Sequence, residues 1–76
     1  MSDHVYSISE IVGSSTESVD DAIRKAVRST ASTKRNVEWF TMEEVRGHVV
    51  DGEVAHFQVS MKIGFRLDED DDGPTG

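Results

Sequence analysis

Two side chains, Trp39 and Gln58, give this 76-residue chain its clearest capacity to bind a small molecule. Trp39 is the only tryptophan, and an indole offers a flat apolar surface on which a planar ring can stack. The carboxamide of Gln58 supplies both a hydrogen-bond donor and an acceptor. This combination suits a planar heteroaromatic ligand that carries donors and acceptors along its edge.

Both residues fall on a predicted hairpin whose turn is Asp51-Gly52. An Asp-Gly pair between β-rich segments is a strong hairpin signal, because both central residues of the favoured turn need positive φ. A two-residue turn predicts these opposed pairs on one face: Val37 with Arg66, Trp39 with Gly64, Thr41 with Lys62, Glu43 with Ser60, and Val45 with Gln58. In this register Glu44 and Arg46 share the other face with Phe40 and Met42, which is consistent with a bulge in the first strand of the hairpin.

Each candidate residue also has an ordinary structural explanation. A single tryptophan on a strand more often belongs to a core or a subunit interface than to a ligand platform. Gln58 alone would be a solvated strand residue, and Arg46 and Arg66 are most simply surface charges or salt-bridge partners. On the residue pattern alone, a ligand site is the less common of these interpretations.

The chain offers little of what enzymatic catalysis requires. It contains no cysteine, its serines lack the context of a nucleophile elbow, and its histidines are His4, His48 and His56. In the register above, His48 and His56 point to opposite faces of the hairpin, so they are not expected to form a metal pair. We therefore predict that the protein is not an enzyme.

The other elements predict a sheet packed on one helix. Residues 5–12 are rich in β-formers and end at Gly13, and Ser14, Ser15 and Thr16 follow as candidate N-caps. A helix is predicted over 16–30, because apolar residues recur there with helical spacing. The second strand is predicted over 37–50. The third, over 54–67, alternates apolar and polar residues.

The order β-α-β-β predicts an α+β fold with a three-stranded antiparallel sheet in the order 1-3-2, packed on one amphipathic helix. The helix runs antiparallel to strand one and brings the chain back to the end of the sheet where strand one began, so strand two runs parallel to strand one. Strand three runs antiparallel to both and must therefore lie between them. Strands of about 14 residues reach roughly 45 Å, whereas a helix of about 15 residues spans only about 22 Å. One helix cannot cover such a sheet, so we expect other subunits or a ligand to bury the remainder.

Charge and composition limit the classes of binding partner and the cellular location that we expect. The 15 acidic and 8 basic residues give a formal net charge of −7, which opposes attraction to nucleic acid or anionic lipid. Five of the acids lie at 68–72, so we predict one domain over 1–67 and a disordered acidic tail over 68–76. We expect no membrane span and no signal peptide, and hence a cytoplasmic location.

A basic cluster leaves a second function open. Five of the eight cations lie close together in sequence: Arg24, Lys25, Arg28, Lys34 and Arg35. They could contact a partner, which would make the protein a small oligomeric interaction module without a bound small-molecule ligand. Asp20 and Asp21 precede Arg24 and Lys25 by four positions, so a solvated helix face is the simpler interpretation. In either case so short a chain is expected to gain stability by oligomerisation.

Four short motifs resemble the dodecin family of small flavin-binding proteins. They are Asn36-Val37-Glu38-Trp39-Phe40, Val45-Arg46-Gly47-His48, Phe57-Gln58-Val59 and Ile63-Gly64-Phe65-Arg66-Leu67. The resemblance also includes residues 10–15 and 20–26, so it spans nearly the whole chain except the acidic tail. The joint occurrence of these motifs is far more specific than the order of the elements.

This resemblance implies a hollow homododecamer in which flavins bind as stacked pairs between tryptophans at two-fold interfaces. It implies that Trp39 stacks on the isoalloxazine ring and that Gln58 hydrogen-bonds to its amide edge. Arg46 and Arg66 would suit the phosphate of FMN and contact the ring system, although riboflavin and other flavins remain possible ligands. Electron transfer from a stacked tryptophan quenches an excited flavin, so the implied role is flavin storage and photoprotection.

Overall fold

The computed structural model describes residues 3–67, which contain four elements in the order β-α-β-β. These are β1 (Tyr6–Ser15), α1 (Val19–Ala31), β2 (Val37–Val50) and β3 (Glu53–Arg66). The three strands form one antiparallel sheet in the order β1-β3-β2. The predicted α+β class, element order and strand order are therefore confirmed. The acidic tail predicted over 68–76 lies outside the described residues.

The first strand is longer than the sequence predicted. β1 continues through Gly13 to Ser15, because Ser14 and Ser15 still pair with β3. Gly13 lies beneath the helix, where a Cβ atom would stand 2.5 Å from the carbonyl oxygen of Ala22. Glycine at this position therefore allows α1 to approach β1 closely.

The helix begins at a cap that sequence reasoning missed. Its N-cap is Ser18, whose Oγ accepts a hydrogen bond from the backbone N–H of Asp21 at 2.9 Å, rather than any of the three polar residues after Gly13. Ser15 has a supporting role, because its hydroxyl donates to Oδ2 of Asp21 at 2.6 Å. This hydrogen bond, followed by one from Lys25, lowers the pKa of the Asp21 carboxyl.

The core lies between α1 and the inner face of the sheet, which is the face that packs against the helix. Its buried apolar members are Ala22, Ala26, Val59, Met61 and Ile63. Three of these occupy alternate positions of β3, so the alternation predicted for the third strand is confirmed. Because β3 is the central strand, the most regular amphipathic segment is also the one with a neighbour on both sides.

The predicted turn of the hairpin is also confirmed. Asp51 and Gly52 have φ values of 53° and 78°, the positive values that the favoured two-residue hairpin turn requires. The predicted register holds at the turn, where Val50 pairs with Glu53, and again at Trp39, which pairs with Gly64. Between these points the register shifts.

The register shifts correct three predicted pairs. Val45 lies opposite Val59 and not Gln58, Ser60 lies opposite Glu44 and not Glu43, and Val37 lies opposite Phe65 and not Arg66. The bulge expected in the second strand is present between Met42 and Glu44. Because side chains alternate along a strand, its extra residue moves the next residues of β2 to the opposite face.

The sheet is much longer than the helix that covers it. The 13 residues of α1 span about 20 Å, whereas the 14 residues of β2 or β3 span about 45 Å. The chain measures 57 × 19 × 15 Å, with a radius of gyration of 16.0 Å, against about 11 Å for a compact domain of this length. One end of the hairpin therefore projects beyond the helix. No helix within residues 3–67 is long and apolar enough to cross a membrane.

Candidate functional site

All four predicted site residues lie on the outer face of the sheet, which is the face directed away from α1. Trp39 and Gly64 form a cross-strand pair there, and Arg46 pairs with Gln58 farther along the same two strands. Arg66 follows Gly64 by two positions in β3 and pairs with Tyr6 of β1. The bulge brings Arg46 to this face, where the register predicted from the sequence did not place it.

Trp39 forms a flat platform at one end of the outer face. A Cβ atom on Gly64 would lie 2.3 Å from Cε2 and Cζ2 of the indole, so the ring lies directly over the glycine backbone. Tyr6 meets the indole edge-on, with ring centroids 5.1 Å apart and an interplanar angle of 65°. Trp39 is still 39% exposed, which leaves its outward surface open to a planar ligand.

Arg66 lies beside this platform. Its Nη1 atom is 4.0 Å from Oε2 of Glu38, a contact at the limit of an ion pair that offsets part of its charge. We use "tryptophan end" for the group formed by Trp39, Gly64, Tyr6 and Arg66. Sequence reasoning missed Tyr6, although the antiparallel pairing of β1 with β3 would have placed it opposite Arg66.

Gln58 and Arg46 form the second group on the outer face, which we call the glutamine end. They are directly opposed across β3 and β2, so both side chains project from the outer face. Arg46 forms no salt bridge with any residue of 3–67, so its charge is available to an anion.

The two histidines of the hairpin continue the glutamine end toward the turn. His48 lies opposite His56, and their rings stack with centroids 5.1 Å apart and planes 13° apart. The prediction that they point to opposite faces is therefore wrong, because the bulge shifts His48 to the outer face. Within the described residues no group of three or more His, Cys, Asp or Glu side chains could hold a metal ion.

The tryptophan and glutamine ends are too far apart in one chain to hold the same ring. Gln58 and Gly64 are six residues apart on β3, which corresponds to about 20 Å. Lys62 lies between them, with its Nζ atom 3.9 Å from the carboxylates of both Glu10 and Glu43. The chain thus brings Trp39 together with Arg66 and Gln58 together with Arg46, but leaves the two groups separate.

Sequence comparison identifies a family that matches almost the whole described chain. A family model described as Dodecin matches residues 5–68. A relative named Dodecin, from Thermus thermophilus, is 38% identical over 65 residues, which are 86% of this chain and 94% of the relative.

Solved structures agree with this match. The dodecin of Streptomyces davaonensis is 51% identical with a TM-score of 0.84, over 88% of this chain and 98% of that one. The dodecin of Streptomyces coelicolor is 48% identical with a TM-score of 0.85, over 90% of this chain and 97% of that one. With matches in sequence and in structure over most of both partners, the chain belongs to the dodecin family, whose members are small flavin-binding proteins.

Proposed function

We propose that this protein stores flavin, chiefly FMN, in stacked pairs between the outer faces of its subunits in a homododecamer. The observation that carries the proposal is the indole of Trp39, which lies flat over Gly64 with its outward surface uncovered. Stacking on an isoalloxazine ring would bury this surface. Membership of the dodecin family supports a flavin as the planar ligand.

The separation of the tryptophan and glutamine ends supports binding between two copies. A two-fold axis that relates two outer faces would place the tryptophan end of each copy against the glutamine end of the other. Each isoalloxazine ring could then stack on Trp39 of one copy and receive hydrogen bonds from Gln58 of the second copy. The same symmetry would produce two equivalent sites side by side, so the proposed flavins would bind as a pair.

The proposed role is storage and photoprotection rather than turnover. A flavin enclosed between the indoles of two copies would be shielded from other substrates. An indole in van der Waals contact with an excited flavin can donate an electron to it, which returns the flavin to its ground state before it reacts. Trp39 would therefore contribute both affinity and quenching.

The basic cluster on the helix gives less support to the alternative of an interaction module. Arg24 Nε lies 2.9 Å from Asp20 Oδ2, and Lys25 Nζ lies 3.2 Å from Asp21 Oδ2. These i,i+4 pairs offset two of the cations within the helix itself. They correspond to the solvated helix face that the sequence indicated as the simpler interpretation.

Titration of FMN into flavin-free protein tests the proposed function. Because two copies share two sites, we expect the fluorescence of FMN to be extinguished until about one flavin is bound per chain. Absorbance of the bound flavin should change at the same equivalence point. FMN that keeps its free fluorescence in the presence of excess protein would rule out the proposal.

Replacing Arg46 by alanine should weaken FMN binding more than riboflavin binding. A hydrogen bond to a charged group contributes about 1.5–3 kcal/mol, so loss of a phosphate contact should raise the Kd of FMN by about 10-fold or more. Riboflavin has no phosphate, and its Kd should change by less than about 3-fold. Fluorescence titrations of both ligands measure the difference, and equal losses would remove the phosphate role of Arg46. The Arg66→Ala variant, measured in the same way, shows whether the phosphate also depends on the tryptophan end.

A further inference from the structure

The stacked histidines of the hairpin have no part in the proposed contacts with flavin. In the register that the turn alone would set, His48 would face Ala55 and His56 would face Gly47. The register shifts on either side of this segment instead place the two histidines directly opposite each other. Because β-bulges concentrate at sheet edges and beside functional sites, this pair is a candidate binding site of its own.

The two rings are placed to act together on one ligand. Their centroids are 5.1 Å apart and their planes differ by 13°, so the imidazoles lie face to face on the outer face of the sheet. The χ2 torsion of histidine has a broad minimum, so a small rotation of each ring directs one nitrogen of each toward a common point. A metal ion at that point would lie about 2.0–2.1 Å from both nitrogens.

The ring nitrogens of the pair are available as ligands. Neither His48 nor His56 forms a hydrogen bond or a salt bridge with any residue of 3–67. His48 is exposed and His56 is half-buried, so the chain itself does not enclose the rings. Neutral imidazole is the side chain that most often binds metals in proteins.

The charges near the pair favour a cation. Residues 47–57 contain two acidic side chains and no lysine or arginine. Arg46 lies two positions from His48, which corresponds to about 7 Å along the strand and is well beyond a metal–nitrogen bond. Lys25 borders a cleft together with His56, but its ammonium is 3.2 Å from a carboxylate oxygen of its own helix, which offsets its charge.

We propose that His48 and His56 bind one divalent transition-metal ion of the Zn²⁺ and Cu²⁺ type. Imidazole suits such ions, whereas Mg²⁺ and Ca²⁺ prefer oxygen ligands. Two protein ligands leave the other coordination positions to water, so the ion would exchange more readily than one in a closed four-ligand site. It would also join β2 to β3 near the Asp51-Gly52 turn and so stabilise the folded hairpin.

Calorimetric titration of Zn²⁺ into the full-length protein, without flavin, tests the site independently of the proposed function. The chain contains three histidines, so His4→Gln gives a background in which His48 and His56 are the only imidazoles. We expect this background to bind about one Zn²⁺ per chain. Mg²⁺ should bind at least about 10-fold more weakly.

Single substitutions in the same background test each ligand. Because even the loss of an outer-shell partner of a metal site costs about 10–100-fold in affinity, His48→Gln and His56→Gln should each raise the Kd for Zn²⁺ by about 10-fold or more. An unchanged Kd for either variant would overturn the proposal. So would Mg²⁺ binding as tight as that of Zn²⁺, because it would assign the ion to carboxylates such as the five at 68–72.

Electron paramagnetic resonance of bound Cu²⁺ gives a readout that does not depend on how well the hairpin variants fold. In the His4→Gln background, an ion held by the pair should show hyperfine coupling to two imidazole nitrogens. The additional His48→Gln change should leave coupling to one, with circular dichroism as the control for fold. Coupling to fewer than two imidazole nitrogens in the background itself would show that the rings do not hold the same ion.

Discussion

Replacing Trp39 by alanine is expected to raise the Kd for FMN by about 10- to 100-fold and to abolish most of the quenching of bound flavin. Stacking of a heteroaromatic base on an aromatic side chain contributes about 1–3 kcal/mol, and 1.4 kcal/mol corresponds to a factor of 10 in Kd. The indole also rests on Gly64 rather than in the core, so its removal should leave the fold intact. Fluorescence titration measures both the affinity and the quenching.

A Trp39→Phe variant separates the two contributions of the indole. Phenylalanine keeps an aromatic surface and should retain more of the affinity than alanine, but it is a poorer electron donor and should quench less. Circular dichroism and the mass of the assembly control for changes in fold. FMN binding by Trp39→Ala with the affinity and quenching of the wild type would show that the flavin does not stack on Trp39.

Most of the fold could be predicted from local patterns because local physics determines it. The helical spacing of apolar residues located α1, and the alternation along β3 identified the inner residues Val59, Met61 and Ile63. Asp51-Gly52 fixed the turn through its need for positive φ. The limits of β1 and the N-cap were wrong, because pairing with β3 outweighs the turn preference of Gly13 and its following serines.

The site was less predictable because its geometry depends on interactions between distant segments. The bulge after Met42 places Arg46 and His48 on the outer face, and the sequence indicated a bulge in this strand without fixing its consequences for those residues. Tyr6 reaches Trp39 only through the pairing of β1 with β3. The distance between the tryptophan and glutamine ends follows from the register, and the proposal of a site shared by two copies depends on that distance.

Replacing Gly64 by alanine should raise the Kd for FMN by about 10-fold or more, even though the new side chain is only a methyl group. The added Cβ would lie 2.3 Å from two atoms of the indole, well inside van der Waals contact, so Trp39 must leave its position over the sheet. The φ of Gly64 is not positive, so alanine strains no backbone angle there. The expected loss therefore reports the displacement of the indole, measured by titration of FMN.

A double-mutant cycle isolates this steric effect from a general loss of stability. In the Trp39→Ala background the indole atoms that clash with the added Cβ are absent. Gly64→Ala should then change the Kd for FMN by less than about 3-fold, a strongly non-additive result for two residues in contact. If Gly64→Ala weakens FMN equally in both backgrounds, the glycine acts through the strand and not through the position of Trp39, and the platform is wrongly assigned.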